Sequence, residues 1–176
     1  MGAAVTPEQL QRAIPYSGAR AFSFAGPLTD AMAEFDISTP QRRAAFLAQI
    51  AHESGSLRYT LELATGDAYE ARADLGNLQP GDGRRFKGRG LLQITGRANY
   101  AKCGAALGLD LLRSPELLES PAGACRSAGW YWKVRSLNQY ADRDAFGSLT
   151  RAINGGYIGL DERISAWLSA RKALCI

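Results

Sequence analysis

A chain of 176 residues is short enough for one domain and long enough to bury a core without cross-links. Its hydrophobic fraction of 46% is that of an ordinary globular protein, and no run of about 18 apolar residues suggests a membrane span. The net charge of +4, from 21 basic against 17 acidic residues, favours an anionic polymer or surface as a partner. It is compatible with nucleic acid, with an anionic cell wall, or with a basic surface that has no partner.

The first half of the chain is dominated by helical spacing, and alternating strand patterns are scarce. Thr6 followed by Pro7 predicts the start of a first helix. Residues 16–26 are rich in Gly and Ser and predict a loop, after which a helix is expected over residues 27–35. Ser38 or Thr39, followed by Pro40, starts a strongly apolar helix that we expect to be buried on most sides. This helix ends at Glu53, and Gly55 is a plausible stop signal.

The second half of the chain begins with an irregular stretch, residues 64–90, which is dense in turn-forming residues. Residues 91–95 are apolar and predict a short strand or an extended segment. Further helices are expected over residues 99–107, 114–118, 122–134, 144–153 and 161–174, with a glycine-rich loop before the last. No internal repeat or linker divides the chain, so we expect one mostly α domain.

Cysteine and histidine are too few for a familiar metal site, since the chain has three cysteines and one histidine. Structural zinc usually needs four such ligands, and no CxxC spacing occurs. We expect Cys103, Cys125 and Cys175 to be free thiols, although one pair could bridge in an oxidising compartment. We expect no metal and no other cofactor.

The N-terminal residues lack a basic region followed by an apolar stretch, so we expect no cleaved signal peptide.

Glu53 is a carboxylate at the end of a strongly apolar helix. Glycoside hydrolysis needs one carboxyl group that stays protonated and a second that activates water or attacks the sugar. Burial among apolar groups and the negative end of a helix both favour a protonated carboxyl. Taken alone, however, this position fits an ordinary exposed helix-end residue better than a catalytic one.

Glu62 is a candidate for the second carboxylate. It lies nine residues after Glu53, which on one straight helix would place the two side chains on opposite faces. The intervening Ser-Gly-Ser at residues 54–56 can break the helix and return Glu62 across a cleft. Spacing alone does not rank Glu62 above Asp67, Glu70 or Asp74.

A polar stretch at residues 84–100 surrounds a short apolar centre. Gln93 and Thr95 would point to the same side of an extended segment, and Asn99 and Tyr100 follow closely. Amide, hydroxyl and phenol groups suit sugar hydroxyls and N-acetyl groups. A capped turn before a helix explains the same residues equally well.

Five segments together carry a resemblance to a known family. They are FLAQIAHESG at residues 46–55, a stretch at 76–100 that includes KGRGLLQIT, AGWYW at 128–132, INGG at 153–156 and DER at 161–163. The chain resembles glycoside hydrolase family 19, and the endolysins of phages and bacteria more closely than the plant chitinases. The resemblance runs from about residue 40 to the C-terminus, whereas the first forty residues match only loosely.

The resemblance implies a mostly α, lysozyme-like fold with a substrate cleft and at most a small irregular or β element. Residues 1–176 would form a single catalytic domain, with a helical N-terminal part to about residue 38 and a family-like core from about residue 39. An inverting mechanism is implied, so the two carboxyls should lie about 6.5–9.5 Å apart to admit a water molecule.

The resemblance also assigns roles to individual residues. Glu53 would be the general acid, Glu62 the second carboxylate, and Thr95 the hydroxyl that orients the water. The branch often has asparagine after the second acid, whereas this chain has Leu63, and residues 63–75 differ from typical members. Arg163 is expected as a charge partner near the second carboxylate, and the substrate contacts are expected at His52, Gln93, Tyr100, Asn154 and Arg163.

The expected function is that of an endolysin-type muramidase, which cleaves the β-1,4 bond between N-acetylmuramic acid and N-acetylglucosamine. Its partner would be the glycan strands of peptidoglycan, and we expect a monomer that neither binds nucleic acid nor inserts into a membrane. It would be made in the host cytoplasm and act at the cell wall or periplasm after release. The alternatives are a chitinase and a catalytically inactive module that binds the cell wall.

Overall fold

The computed structural model describes residues 4–176, and helices dominate that part of the chain. Three short 3₁₀ helices lie at Asp67–Tyr69, Ala73–Leu75 and Pro115–Glu119. The α-helices of the described residues are α1 (Pro7–Ala13), α2 (Arg20–Glu34), α3 (Pro40–Glu53), α4 (Asp82–Arg85), α5 (Arg97–Leu107), α6 (Pro121–Val134), α7 (Asn138–Ala141), α8 (Phe146–Asn154) and α9 (Leu160–Ala173). The prediction of a mostly α fold is confirmed.

The starts of α1 and α3 are determined by local sequence. Thr6 Oγ1 accepts a hydrogen bond from the backbone N–H of Gln9 at 3.2 Å, and the Gln9 side chain accepts one from the N–H of Thr6 at 3.0 Å. Thr39 caps α3 by accepting from the N–H of Arg42 at 3.2 Å. In both helices proline occupies the first turn, where its missing N–H is not needed. Both predicted helix starts are confirmed.

Helix α2 begins at Arg20, so the predicted loop over residues 16–26 is wrong for most of its length. Pro27 lies inside the helix and removes one backbone hydrogen bond. The helix persists because Ala21, Phe24 and Ala25 are buried and continue the apolar face that Leu28 begins. Tertiary packing therefore outweighs the local signals of glycine, serine and proline.

Helix α3 forms the centre of the core, and all of its residues from 43 to 51 are buried. It packs against α9, while α2 packs against α6. Phe46 of α3 meets Trp132 of α6 edge to face, with ring centroids 5.2 Å apart. The expected burial of this helix on most sides is confirmed, and the α3–α9 packing brings the end of α3 close to distant parts of the chain.

The β content of the described residues is limited to two isolated antiparallel bridges, Leu61 with Arg89 and Arg89 with Ile94. Residues 91–95 do not form the expected strand or extended segment, because the chain turns within them and Gln93 has φ of +50°. The N–H of Ile94 donates back to the carbonyl of Arg89 at 2.7 Å and closes this turn. Only the prediction of a small β element is confirmed.

The cysteines are free thiols in the described chain, as expected, with Cys103 and Cys125 buried and Cys175 exposed. Burial raises the pKa of the Cys103 thiol to about 12 and raises that of Cys125 further still. None of the helices described combines the length and the apolar composition needed to cross a membrane.

Candidate active site

Glu53 is the last residue of α3, and the chain reverses immediately after it. Ser54 ends the helix, since its hydroxyl donates to the Ile50 carbonyl at 2.5 Å and accepts from the N–H of Leu57 at 2.9 Å. Residues 55–57 all have positive φ values, between 56° and 67°. The Ser-Gly-Ser segment thus breaks the helix, as the sequence suggested, and Glu62 is not on a continuation of α3.

The carboxylate of Glu53 is paired with Arg163 of α9. Arg163 Nη2 donates to Glu53 Oε1 at 2.6 Å, and the side chains are 2% and 25% exposed respectively. The apolar surroundings expected for Glu53 are therefore replaced on one side by a buried guanidinium. Arg163 was expected near the second carboxylate and in contact with substrate. The structure places its side chain, which is buried, against Glu53, and its contact with substrate stays a prediction.

Arg163 is itself held by a buried polar chain. Its Nη1 donates to Gln49 Oε1, and Gln49 Nε2 donates to Thr150 Oγ1 at 2.9 Å. Gln49 and Thr150 are fully buried. Because a buried polar group without a partner is costly, each of these contacts restrains the next. The chain Thr150–Gln49–Arg163 connects α8, α3 and α9 and ends at the carboxylate of Glu53.

Glu62 is half-buried, and both of its carboxylate oxygens accept hydrogen bonds from neutral donors. The Tyr69 hydroxyl donates to Oε1 at 2.9 Å, and the N–H of Gly88 donates to Oε2 at 2.8 Å. Burial, together with this contact to Glu62, raises the pKa of Tyr69.

The rival carboxylates Asp67, Glu70 and Asp74 are all exposed. Asp67 and Asp74 pair with Arg84 and Arg72 respectively. Glu70 accepts hydrogen bonds from the backbone N–H groups of Gly81 and Gly83, at 2.7 and 2.8 Å. Glu62 is thus the one of the four that is not exposed.

The turn between Arg89 and Ile94 places Gln93 close to Glu62 and Thr95 next to Gln93. A Cβ atom at Gly88 would collide with Gln93 Oε1 and lie 3.1 Å from Glu62 Oε2, so only glycine allows both side chains to approach there. Gln93 Nε2 donates to the Gly90 carbonyl at 2.9 Å. The Thr95 hydroxyl donates to the Gln93 carbonyl at 2.9 Å, which leaves its lone pairs free to accept.

A cleft of about 380 Å³ brings four of the predicted site residues together, namely Glu53, Gln93, Thr95 and Asn154. Glu62 lies next to Gly88 and close to Gln93, which is one of the residues that line the cleft. The remaining lining residues are largely apolar or aromatic: Leu75, Leu92, Ile94, Asn99, Trp130, Tyr131, Val134, Arg135 and Ile153. This arrangement, with one carboxylate facing amides, a hydroxyl and aromatic rings, suits a polymer of amino sugars.

Comparison with known proteins gives the family. The model of family 19 glycoside hydrolases, described as chitinase class I, matches residues 17–147, which is well over half of the chain. The chain belongs to glycoside hydrolase family 19. The match starts before residue 40, where the resemblance was expected to begin, and it includes Glu53, Glu62, Gln93 and Thr95.

Relatives of this family 19 chain come from plants and bacteria. An endochitinase of Arabidopsis thaliana is 42% identical over 116 residues, which are 64% of this chain and 39% of the relative. A Haemophilus influenzae protein with a glycosyl hydrolase family 19 domain is 33% identical over 154 residues, covering 69% of this chain and 74% of the relative. The chain thus spans about 40% of the length of the plant relatives.

Solved structures extend the similarity to nearly the whole chain. Chitinase C of Streptomyces griseus is 26% identical, with a TM-score of 0.77 over 99% of this chain and 78% of its own. A bacterial family 19 chitinase is also 26% identical, with a TM-score of 0.80 over 98% of this chain and 95% of its own. The expected family and its lysozyme-like, mostly α fold are confirmed.

Two predicted substrate contacts lie outside the family 19 cleft. Tyr100 is fully buried, and its hydroxyl donates to the Lys87 carbonyl at 2.6 Å and accepts from Arg89 at 3.2 Å. His52 lines a separate groove of about 480 Å³, and its imidazole packs against Gly159. Burial, with a smaller contribution from Arg163, lowers the pKa of His52. The residues that line the cleft thus include neither Tyr100 nor His52, and their contacts with substrate stay predictions.

The C-terminal end of α6 supplies cleft residues that the sequence alone did not single out. Trp130, Tyr131 and Arg135 all line the cleft. The AGWYW segment was part of the family resemblance, but no site role was predicted for its aromatic residues. Only the packing of α6 against α2 decides which of them faces the cleft, because Trp132 is fully buried whereas Trp130 and Tyr131 are partly exposed.

Proposed function

We propose that this family 19 protein hydrolyses β-1,4 bonds in a polymer of N-acetylated amino sugars, with Glu53 as the general acid. The observation that carries the proposal is the position of Glu53 in the cleft. Arg163 holds Oε1 from behind, and within residues 4–176 no side chain or backbone group donates to Oε2. This second oxygen is available to the glycosidic oxygen of a bound substrate.

Glu62 is the proposed general base of a single-displacement reaction. A water molecule adds to the anomeric carbon and gives a proton to Glu62, while Glu53 gives its proton to the departing sugar oxygen. Thr95 would accept a hydrogen bond from the same water through its free lone pairs. The separation of about 6.5–9.5 Å between the two carboxyl groups stays a prediction, as does inversion at the anomeric carbon.

Peptidoglycan is the proposed polymer, and the endolysin-type muramidase reaction is the proposed cleavage. The net charge of +4 supports an anionic wall polymer over a neutral one. The resemblance of segments such as KGRGLLQIT to endolysins supports action at the cell wall after release from the host cytoplasm. Chitin is the second candidate, because the plant relatives and the structural neighbours are named as chitinases.

Product analysis by mass spectrometry distinguishes these candidates. Purified peptidoglycan and a neutral N-acetylglucosamine hexamer are digested in parallel with the same enzyme preparation. We expect fragments with N-acetylmuramic acid at the new reducing end, and ¹H NMR of early products should show the inverted anomer. Cleavage of the hexamer alone would contradict the muramidase proposal, and binding without any cleavage would indicate an inactive wall-binding module.

A further inference from the structure

Arg135 is a cation at the rim of the cleft. It follows the last residue of α6, is exposed, and lines the same cleft as Glu53 and Asn154. Its guanidinium carbon lies 4.6 Å from the centroid of the Tyr131 ring, within the range of a cation–π contact. Its Nη1 donates to the Ala152 carbonyl at 3.0 Å. The guanidinium is therefore oriented by two protein contacts rather than free in solvent.

Arg135 has no carboxylate partner among residues 4–176. Other arginines of the fold do have one, as Arg126 pairs with Glu34 and Arg163 with Glu53. A guanidinium offers five N–H donors in a planar fork, and the contact to Ala152 uses one nitrogen. An oriented cation without a counter-ion is suited to bind an anionic group of a ligand.

The rest of the described cleft lining offers no second cation. Its only charged members are Glu53 and Arg135, and the others are amides, a hydroxyl and apolar or aromatic groups. A neutral N-acetylglucosamine homopolymer has nothing with which to neutralise Arg135. Peptidoglycan carries carboxylates, either on the lactyl group of muramic acid when peptide is absent or on the stem peptide when it is present.

We infer that Arg135 binds a carboxylate of an acidic amino-sugar polymer and makes the cleft prefer that polymer over a neutral one. This inference rests on the proposed function and names the residue that sets the substrate class. A guanidinium and a carboxylate form paired, charge-assisted hydrogen bonds, which a neutral sugar does not reproduce. Tyr131 and Ala152 hold the guanidinium in place, which reduces the entropy lost on binding.

A purely structural role for Arg135 makes a different prediction. If the side chain only ties α6 to α8 through the Ala152 carbonyl, its loss should lower thermal stability and weaken all ligands equally. The ratio of affinities for an acidic and a neutral polymer separates the two roles, because that ratio does not respond to a uniform loss of stability.

The experiment measures binding by calorimetry in a Glu53→Gln background, so that no ligand is consumed. The ligands are peptide-free glycan strands with free lactyl carboxylates, strands that carry stem peptides, and the neutral N-acetylglucosamine hexamer. Arg135→Gln is compared with Arg143→Gln, which removes the same charge from an exposed site outside the cleft. We expect Arg135→Gln to lower the acidic-to-neutral affinity ratio roughly five- to tenfold and Arg143→Gln to leave it unchanged.

Each outcome of this experiment has a defined meaning. If Arg135→Gln loses affinity only for peptide-free strands, the bound group is the lactyl carboxylate. If it loses affinity only for strands with stem peptides, the bound group is a peptide carboxylate. An unchanged ratio in Arg135→Gln, an equal fall in Arg143→Gln, or no binding of either acidic ligand would overturn the inference. Hydrolysis by the wild-type enzyme is assayed separately, so failure of the proposed function is distinguishable: peptidoglycan cleavage with an unchanged ratio refutes only the role of Arg135.

Discussion

Arg163 donates to Glu53 at 2.6 Å across 110 residues of sequence, and this ion pair lies at the base of the cleft. The arginine is buried, whereas the carboxylate is about one quarter exposed. One oxygen of Glu53 is therefore fixed by the fold, while the other remains accessible to a ligand.

Glu53→Gln should lower kcat by at least about a hundredfold, because an amide cannot donate the proton that a general acid supplies. Substrate binding should be retained, since the side chain keeps its size and its Oε1 acceptor. Initial rates on the cleaved polymer measure the effect. Glu116→Gln, at an exposed residue outside the cleft lining, is the matched control and should be fully active. Full activity of Glu53→Gln would exclude the proposed mechanism.

Tyr69→Phe should lower kcat about three- to tenfold with little change in KM, because Glu62 loses the hydroxyl that donates to Oε1. The N–H of Gly88 would still hold Oε2, so the effect should be smaller than that of Glu62→Gln. Tyr16→Phe is the control, since Tyr16 is 84% exposed and lies in the groove of His52. A Tyr69→Phe enzyme with wild-type kcat would show that this contact does not position the base.

Gln49→Leu should lower the free energy of unfolding by about 1–3 kcal/mol, because it leaves buried donors of Arg163 without their acceptor. Thr150→Val should also destabilise the protein, since Gln49 Nε2 then loses its partner. Urea denaturation gives both values. Gln139→Leu changes an exposed glutamine of α7 and should stay within about 0.5 kcal/mol of wild type. Equal effects at Gln49 and Gln139 would contradict the buried polar chain.

Asp82→Asn should make the free energy of unfolding depend less on pH in the acidic range. Hydrogen bonds from Arg97 hold the pKa of the buried Asp82 below its usual value, near 3.9 in unfolded chains. A depressed folded-state pKa adds stability above the unfolded pKa, and this is lost as pH falls through the folded pKa. The free energy of unfolding of the wild type should therefore exceed that of the variant at pH 7, and the two values should converge below about pH 4. Urea denaturation at several pH values tests this, and a constant difference would contradict it.

Local sequence was sufficient for the elements whose signals lie within a few residues. Thr6 with Pro7 and Thr39 with Pro40 specify helix starts, since a cap contacts N–H groups only two or three positions away. The apolar run of α3 marked the central helix and its terminal Glu53, because a helix without a polar face has to be buried. The segments that resemble the family, KGRGLLQIT among them, identified the fold.

The tertiary structure decided everything that depends on the approach of distant elements. The packing of α3 against α9 pairs Arg163 with Glu53 and turns His52 into a separate groove. The turn between Arg89 and Ile94 leaves Gln93 and Thr95 at the cleft, while Tyr100 is buried against Phe86 and the Lys87 carbonyl. Helical spacing predicts which face of a helix a residue occupies. It does not predict which neighbouring element that face contacts. The sequence by itself therefore identified Glu53 as the carboxylate to test, and only the fold determined its partner.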